Sequence, residues 1–287
     1  AMVSFRDRSF KYGDGAFDMT RTFGHRIFKL DEHLKRFYKS LKYLQMDAGM
    51  NLEKMKEITE EVLARNLHLL NDDEDYWVGQ RVSRGVEPVG GDIHESSEAT
   101  VIVECTPLPF KSRAHYFRDG IEVLVPSLRR TSPDSLTPRA KTHNYMNLML
   151  AHEEVRRQNA NAWAILLDAN GNLSEGVGSN IFLVDDGVIY TPEDRYVLCG
   201  VSRQTAIDLA EAQGLKVVRT DLDLYDAYTA DEAFITSTSF CIVPVKSFNG
   251  IEIGDGAIPG AITKHLTDAY VEFVDHDFVG QYLKHLD

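Results

Sequence analysis

The order of the predicted secondary-structure elements constrains the fold of this chain more than any other feature. Near the N-terminus, apolar residues recur at helical spacing in two segments, at 31–46 and from Asn51 onwards. Short strands are predicted around these helices at 26–30, 76–84 and 99–104. Later in the chain, strands separated by turns predominate, with few helices and no regular alternation of strand and helix. This order predicts the α+β class, with a small α/β domain followed by a larger strand-rich domain with flanking helices.

Chain length and local composition suggest where the two domains meet. A chain of 287 residues is long enough for about two domains. The segment 106–113 contains two prolines and has no helical or strand periodicity, which is typical of a domain boundary. We therefore predict a small domain at 1–112, a linker at 113–119 and a large domain at 120–287.

The charge balance and the cysteine pattern exclude several functional classes. Lys and Arg total 31 against 44 Asp and Glu, and the net charge of −13 disfavours nucleic acids and anionic membranes as partners. No apolar run is long enough to span a bilayer, and the N-terminal segment lacks the apolar core of a secretion signal, so we expect a cytoplasmic protein. The three cysteines form no CxxC pair and the histidines are dispersed, so no metal site is expected.

Polar residues on the first predicted helix could bind a phosphate. His33, Arg36 and Ser40 follow one another at i, i+3 and i+7, apart from the apolar stripe of the same helix. A guanidinium with two hydrogen-bonding neighbours suits a phosphate group. The alternative is an ordinary solvated helix face.

Two further segments could bind an anion through main-chain and hydroxyl groups. In the segment 198–203, Gly200 precedes a helix that we expect Ser202 to cap, and the exposed N–H groups of such a helix start attract anions. The alternative is an ordinary capped helix. At 236–239, four hydroxyl residues stand at the end of a predicted strand that begins at Glu232. Hydroxyls at a strand end can bind phosphate oxygens, although polar strand ends without a ligand are also common.

One lysine and one glutamate stand in segments that could carry chemistry. Lys141 lies directly before a predicted helix, and a lysine becomes a nucleophile where its surroundings lower its pKa. Glu175 lies among small residues that allow a flat ligand to approach the backbone, between Ser174 and Ser179. The alternatives are a surface lysine and a glycine-rich β-turn.

Together these segments resemble a known family. The motifs occur in one order along residues 9–269: Tyr12-Gly-Asp-Gly15, His33-Leu-Lys-Arg36, Lys141-Thr-His-Asn-Tyr145, Ser174-Glu-Gly-Val-Gly-Ser-Asn-Ile-Phe182, Gly200-Val-Ser-Arg203 and Thr236-Ser-Thr238. This order resembles the class IV aminotransferases, the fold-type IV pyridoxal-phosphate enzymes. The group includes branched-chain and D-amino acid aminotransferases, (R)-amine transaminases and aminodeoxychorismate lyases.

The resemblance implies pyridoxal 5'-phosphate as cofactor and a role for each motif. Lys141 would bind the cofactor covalently, and its amine would move a proton at the substrate α-carbon. Glu175 would face the pyridine nitrogen, and Tyr145 would hydrogen-bond the phenolic oxygen of the ring. The phosphate would be held by Arg36, the N–H groups of Val201 and Ser202, and the hydroxyls of Ser237 and Thr238.

The substrate site departs from the family pattern. Branched-chain members carry Tyr-x-Arg on the strand where this chain has Trp77-Val-Gly79, and the Arg-x-His of D-amino acid members is also absent. The tyrosine after the lysine is one residue closer than in most branched-chain members. Arg81 shares a strand face with Trp77, so we predict that Arg81 binds the substrate carboxylate. The predicted substrate-binding residues are Phe17, Trp77, Arg81 and Ser239, and Arg21, Arg113 and Arg139 are alternative carboxylate partners.

The expected function is transfer of an amino group from an amino acid or amine to a 2-keto acid, as in the branched-chain aminotransferases. One alternative is an (R)-amine or D-amino acid:pyruvate transaminase. A second is a lyase that resembles aminodeoxychorismate lyase and releases pyruvate without a keto-acid acceptor. A third is an acidic metabolite-binding protein with no covalent lysine. The resemblance also implies a homodimer.

Overall fold

The computed structural model describes residues 2–286, which form two compact units. Residues up to Leu108, together with Ala140–Tyr145, belong to the first unit. Pro109–Arg139 and the chain from Met146 onwards belong to the second. Lys141 and Tyr145 therefore belong to the first unit, and Glu175 belongs to the second.

The first unit is an antiparallel sheet with helices. Its helices are α1 (Arg8–Tyr12), α2 (Leu30–Tyr43) and α3 (Leu52–Asn66), and its strands are β1 (Gly15–Phe23), β2 (Arg26–Ile27), β3 (Tyr76–Ser83) and β4 (Thr100–Pro107). In the described residues, these strands pair in the order β2-β1-β3-β4. The side chain of Asn51 caps α3 by accepting from the Lys54 N–H group, which accounts for the start of the predicted second helix there.

One face of this sheet is covered by α2 and α3. Leu34, Phe37 and Leu41 of α2 pack with Met55 of α3 against sheet residues such as Val82. Burial of each such side chain stabilises the fold by roughly 1.5–3 kcal/mol. Because side chains alternate along a strand, the odd-numbered residues of β1 and β3 lie on the opposite face. The predicted helical spacing is therefore confirmed.

The second unit contains the longer sheet and the remaining helices. Its helices are α4 (Phe110–Asp119), α5 (Met146–Gln158), α6 (Val201–Ala212), α7 (Leu224–Thr229), α8 (Ala261–Val274) and α9 (Phe278–Leu283). Its strands are β5 (Ile121–Leu124), β6 (Trp163–Leu167), β7 (Leu173–Gly176), β8 (Ser179–Asp185), β9 (Val188–Thr191), β10 (Val217–Arg219), β11 (Glu232–Ser237), β12 (Cys241–Phe248) and β13 (Ile251–Glu252). No helix in residues 2–286 combines the length and apolarity needed to cross a membrane.

Six strands of the second unit close into a ring. Neighbouring strands pair in the order β8-β11-β12-β5-β6-β7, and β7 also pairs with β8. Closure pairs the main-chain groups that would otherwise form open sheet edges. Phe182 of β8 and Phe234 of β11 stack with ring centres 4.7 Å apart in the core. The predicted α+β class, with a strand-rich second part flanked by helices, is confirmed.

The predicted linker at 113–119 requires a correction, because these residues lie in α4. Phe110, Ala114 and Phe117 recur at helical spacing and are buried, which favours a helix over an extended connection. The contact pattern also assigns residues 140–145 to the first unit, although they follow the predicted boundary. Pairing of this segment with β1 is a long-range contact that local composition does not reveal.

Two local predictions also differ from the structure. The strand predicted at 26–30 ends at Ile27, because Lys29 has a left-handed conformation (φ 45°) and α2 begins at Leu30. Ser202 does not cap its helix; Gly200 occupies the N-cap position and Ser202 is the second residue of α6. Asp186 and Gly187 join β8 to β9 with positive φ at both residues, as a type I′ hairpin requires.

Candidate active site

Two main-chain hydrogen bonds, one to β1 and one to α2, fix the position of Lys141. Its carbonyl accepts a hydrogen bond from the Phe17 N–H group (3.0 Å) on β1. Its N–H group donates to Oγ of Ser40 (3.0 Å) on α2. The residue is 9% exposed, so it is not an ordinary surface lysine. A core strand and a core helix thus determine where its amine lies.

The amine of Lys141 is surrounded by aromatic groups. Nζ donates a hydrogen bond to Oη of Tyr145 (3.1 Å). It also lies 4.4 Å from the ring centre of Phe17, within the range of a cation–π interaction. Lys141 and Tyr145, which the sequence predicts to be site residues, are therefore in direct contact. This arrangement places a nucleophilic amine beside a phenol that can share a proton with it.

The polar stripe of α2 is buried against β1 rather than solvated. Asp18 of β1 is fully buried and accepts hydrogen bonds from Nε (2.9 Å) and Nη2 (2.7 Å) of Arg36. Nδ1 of His33 lies 2.7 Å from the same carboxylate. Ser40, the third member, is buried and contacts the Lys141 main chain. Asp18 thus fixes one edge of the Arg36 guanidinium in a bidentate pair.

The charge state of this cluster follows from its burial and its pairing. Burial by itself would raise the pKa of Asp18, but the charge of Arg36 and the hydrogen bond with His33 outweigh it, so the pKa lies well below its ordinary value. Burial lowers the pKa of His33, and the contact with Asp18 offsets this only in part. Asp18 is consequently ionised at neutral pH and balances the charge of Arg36.

His143 is a second buried histidine, two residues after Lys141. Its Nδ1 forms a hydrogen bond with Oγ of Ser9. A Cβ atom on Gly15 would lie 2.5 Å from that Nδ1, so this close packing requires a glycine at position 15. Burial, with a smaller contribution from the charge of Arg81, lowers the pKa of His143 to about 4. His143 is therefore neutral in the folded protein at neutral pH.

This lowered pKa predicts a pH-dependent stability. The unfolded chain takes up a proton on His143 near the ordinary pKa of about 6.5, whereas the folded chain resists protonation down to about 4. The free energy of unfolding should therefore fall by roughly 1–2 kcal/mol between pH 6.5 and 5 on account of His143 alone. Denaturant titrations of His143→Gln should show a flatter decline. His94→Gln, at an exposed site, should keep the wild-type slope; equal slopes in all three proteins would contradict the prediction.

The open face of the first sheet carries the predicted substrate residues. Phe17 pairs with Arg81 in the register of β1 and β3, and Trp77 lies on the same face. Cζ of Arg81 lies 5.0 Å from the Phe17 ring centre, so Phe17 contacts both this guanidinium and the Lys141 amine. Nε of Arg81 donates to Oε1 of Glu104 on β4 (2.7 Å).

The alternative carboxylate partners are placed differently. Arg21 is fully buried and lies 3.7 Å from Asp75, which makes it part of the core. Arg113 of the second unit packs over the ring of Phe240 and donates to Oγ of Ser239. Arg139 is exposed. Arg21 and Arg81 lie on the same sheet face as Phe17, and of these two arginines only Arg81 is partly exposed.

Glu175 in the second unit is held by two donors. It is 5% exposed on β7, and its Oε1 accepts from Nε of Arg130 (2.9 Å). Its Oε2 accepts from the Leu198 N–H group (2.8 Å). A carboxylate has about four lone-pair positions, so each oxygen retains capacity for a further donor. The arrangement presents a buried carboxylate that is fixed by two donors.

The segment before α6 is held by β7 and β8, because Leu198 is hydrogen-bonded to both Glu175 and Asn180. Asn180 of β8 pairs with Glu175 of β7 and with Thr236 of β11, and its Nδ2 donates to the Leu198 carbonyl (2.9 Å). A Cβ atom on Gly200 would lie 2.3 Å from Oδ1 of Asn180, so a larger residue there would require the Asn180 side chain to move. The N–H groups of the first helical turn have no acceptor within the helix and form its positive end. Val201 and Ser202 are the first two residues of that turn.

The hydroxyl residues after β11 complete this part of the second unit. Oγ of Ser237 accepts from the Phe240 N–H group (3.1 Å) and lies 3.3 Å from Oγ of Ser239. Thr238 lies between these two serines in the turn that joins β11 to β12. The Oγ1 atom of Thr236 is buried, without a hydrogen-bond partner among the described residues. The predicted residues thus fall into two sets, with Lys141, Tyr145, Arg36, Phe17, Trp77 and Arg81 on the first unit and Glu175, Val201, Ser202, Ser237, Thr238 and Ser239 on the second.

Sequence analysis assigned no role to Asp18, Glu104 or Arg130. Arg130 lies in an irregular stretch without periodicity, so no local pattern distinguishes it. Asp18 and Glu104 each become informative only through strand pairing and helix packing. Glu104 lies at the end of a predicted strand, where a charged residue is common on an exposed face, and the strand that carries Asp18 was not predicted.

Known proteins are similar to this chain over most of its length. The family model described as Amino-transferase class IV matches residues 15–248. A provisionally named branched-chain-amino-acid aminotransferase of Methanocaldococcus jannaschii is 36% identical over 271 residues, which covers 94% of this chain and 90% of that protein. The branched-chain amino acid aminotransferase of Escherichia coli superimposes with a TM-score of 0.87 at 28% identity, covering 96% of this chain and 90% of the other. The branched-chain amino acid aminotransferase from Thermobaculum terrenum, solved in its PLP-bound holo-form, superimposes with a TM-score of 0.83 at 26% identity. The match covers 100% of this chain and 92% of the other.

Proposed function

Because this chain belongs to the class IV amino-transferase family, we propose that it is a pyridoxal-phosphate-dependent aminotransferase acting on branched-chain amino acids and 2-keto acids. The predicted family and the fold-type IV architecture are confirmed. The observation that carries the proposal is the buried amine of Lys141, hydrogen-bonded to a phenol and held by the main chain of β1 and the hydroxyl of Ser40.

The donor set of the chain fits pyridoxal phosphate. A phosphate dianion requires a guanidinium and N–H groups, which Arg36 and the start of α6 supply. A protonated ring nitrogen requires a fixed carboxylate, which Glu175 supplies. Thr236 of β11 also has a buried Oγ1 atom without a hydrogen-bond partner among residues 2–286, so this hydroxyl could still bind a ligand oxygen. The chemistry of these groups matches the cofactor that the resemblance implies.

Lys141 is the residue to which we assign the proton transfer. When bound, pyridoxal phosphate supplies an electron sink for the bonding electrons at the substrate α-carbon. Nζ of Lys141 takes the proton from that carbon, and Oη of Tyr145 orients the amine through their hydrogen bond. The ring of Phe17 excludes water from one side of Nζ.

The other cofactor residues bind and orient. Arg36, oriented by Asp18, binds the phosphate together with the N–H groups of Val201 and Ser202. The hydroxyls of Ser237 and Thr238 are assigned to the same phosphate. Glu175, fixed by its two donors, holds the proton on the ring nitrogen.

The substrate is assigned to the open face of the first sheet. Arg81 binds the carboxylate, while Phe17 and Trp77 contact the apolar side chain. Ser239 remains a predicted substrate contact, although its hydroxyl also accepts from Arg113. The preference for branched-chain donors rests on the names of the relatives together with this apolar face.

A panel of amino donors tests this function. The purified holoenzyme should show a visible absorbance band that L-leucine, L-isoleucine or L-valine removes faster than D-alanine or (R)- and (S)-1-phenylethylamine. The amino group should then pass to an added 2-keto acid. Fastest loss with an (R)-amine or D-alanine would favour the corresponding transaminase, and pyruvate release without an acceptor would favour a lyase. A protein without a visible band, or one whose band survives Lys141→Ala, would contradict the proposal.

Two expectations from the sequence stand beside this proposal. The homodimer implied by the family resemblance stays a prediction, and so does the cytoplasmic location. Neither alters the roles proposed for Lys141 and Glu175.

A further inference from the structure

We propose that His143 is a positioning residue for the amine of Lys141. Its side chain docks on the glycine-containing segment 12–15 and stacks on Phe17, and it thereby holds the Phe17 ring against the amine. The inference rests on the proposed aminotransferase function, because that function makes Nζ of Lys141 the group that transfers the proton. His143 acts through Phe17 and does not contact the substrate in this role.

The main chain of residues 141–143 pairs with the start of β1. The Phe17 N–H group donates to the Lys141 carbonyl (3.0 Å), and the His143 N–H group donates to the Gly15 carbonyl (2.9 Å). The residues between them form an antiparallel bridge. These bonds fix the backbone at the lysine but leave its side chain free to change rotamer. The direction of the amine therefore depends on the side chains around it.

The side chains of His143 and Asn144 occupy space that two glycines leave open. A Cβ atom on Gly15 would lie 2.5 Å from Nδ1 of His143, and one on Gly13 would lie 2.8 Å from Oδ1 of Asn144. Nδ1 of His143 also forms a hydrogen bond with Oγ of Ser9, and Nδ2 of Asn144 donates to the Gly13 carbonyl (2.8 Å). The Tyr-Gly-Asp-Gly motif, to which sequence analysis assigned no role, thus binds the residues that follow the lysine.

The Phe17 ring connects this docking to the amine. Its centre lies 5.5 Å from the ring centre of His143, with 30° between the planes, and 5.3 Å from the ring centre of Tyr145, at 62°. Both distances are typical of favourable aromatic pairs. Nζ of Lys141 lies 4.4 Å from the same Phe17 ring centre and donates to Oη of Tyr145. Displacement of the Phe17 ring would therefore remove one of the two contacts that place the amine.

The ring of His143 suits this role because it stays uncharged. Its Nε2 atom is buried and has no hydrogen-bond partner in the part of the chain that the structure describes. Protonation of both ring nitrogens would therefore leave a buried N–H group without an acceptor. Burial lowers the pKa of His143 most strongly, the charge of Arg81 adds to this, and Asp7 and Glu104 oppose it only in part. A neutral ring adds no positive charge beside Lys141, whose amine must be neutral to accept a proton.

The test measures two steps that depend on where the amine lies. His143→Leu keeps an apolar side chain but removes the flat ring. When pyridoxal 5'-phosphate is added to the cofactor-free variant, the visible band should form about tenfold more slowly than in wild type, because a small misplacement of a reacting group lowers its rate steeply. The half-reaction of the loaded enzyme with L-leucine should slow by about the same factor, with little change in KM. Its isotope effect with 2-deuterated L-leucine should rise, since proton transfer becomes more rate-limiting.

Three further variants separate positioning from folding. His143→Phe restores a flat ring against Phe17 and should return both rates to within about threefold of wild type. Ser9→Ala removes the hydrogen bond but keeps the ring, so it should slow both rates by less, and it provides the test if His143→Leu does not fold. His115→Leu is the matched control and should leave both rates unchanged. His115 is also half-buried, and its Nε2 likewise lacks a partner among residues 2–286.

The outcomes separate this inference from the proposed function. Wild-type rates in His143→Leu, or equal losses in His143→Leu and His143→Phe, would overturn the positioning role while the aminotransferase proposal stands. An equal loss in His115→Leu would also overturn it, since the loss would then follow from reduced stability. If only Ser9→Ala can be measured, wild-type rates in that variant overturn the role as well. A wild-type protein that forms no band with pyridoxal 5'-phosphate would contradict the proposed function itself.

Discussion

Replacing Lys141 by alanine is expected to abolish amino-group transfer, with a loss of at least about 10³-fold in kcat. The physical reason is that Nζ is the amine placed against Tyr145 and Phe17, and the variant retains no group that can take the substrate proton. The main-chain contacts of residue 141 with Phe17 and Ser40 do not involve the side chain, so the first unit should keep its fold. Turnover with a branched-chain donor and circular dichroism measure the two effects.

A covalent readout separates chemistry from binding. Borohydride reduction of the wild-type holoenzyme, followed by digestion and mass spectrometry, should place the cofactor mass on the peptide containing Lys141. Lys42→Ala, at an exposed position of α2, is the matched control and should leave labelling and turnover unchanged. Labelling at another lysine in wild type, or substantial turnover by Lys141→Ala, would refute the assignment.

Replacing Glu175 by glutamine is expected to lower kcat by about 10²–10³-fold while the covalent bond to Lys141 still forms. Glutamine preserves the size of the side chain and can accept from the Leu198 N–H group, but it lacks the charge that holds a proton on the ring nitrogen. It also leaves the buried guanidinium of Arg130 without its ion-pair partner. Stopped-flow rates of both half-reactions, with the bound cofactor counted from its absorbance, distinguish slower chemistry from lost cofactor.

Two further variants define the role of the carboxylate. Arg130→Met should lower kcat in the same direction but less, because Glu175 keeps its charge and its bond to Leu198 while losing one of its two donors. Glu193→Gln, at an exposed position, should leave kcat unchanged. Wild-type kcat in Glu175→Gln would remove Glu175 from the mechanism.

The fold was predictable where the pattern is local. The stripe of Leu34, Phe37 and Leu41 at helical spacing identifies α2, because burial requires apolar residues on one face. The Asp-Gly pair at 186–187 identifies a hairpin, because both residues tolerate positive φ. Prediction failed at 113–119, where prolines before Phe110 suggested a linker although the residues that follow form α4. Prolines are common both just before a helix and at a domain boundary, so their presence does not distinguish the two.

The candidate site was predictable in its residue types and less so in its contacts. The spacing of His33, Arg36 and Ser40 indicated one functional face, and the structure buries that face against Asp18 and the Lys141 main chain. The pairing of Arg36 with Asp18 could not be predicted, because the two residues come together only when α2 packs on β1. Arg130 carried no signal, since its segment is irregular and its partner Glu175 is distant in sequence.

The sequence by itself determined the family, the helices with one apolar face, the tight turns and the lysine that carries the proposed chemistry. These features depend on residue type and on short-range spacing, which side-chain burial and backbone conformation dictate locally. Only the tertiary structure decided which charges pair: Asp18 with Arg36, Glu104 with Arg81, and Glu175 with Arg130. Such pairs depend on strand register and helix packing between distant segments. The partner of each charged residue is therefore not determined by its neighbours in the sequence.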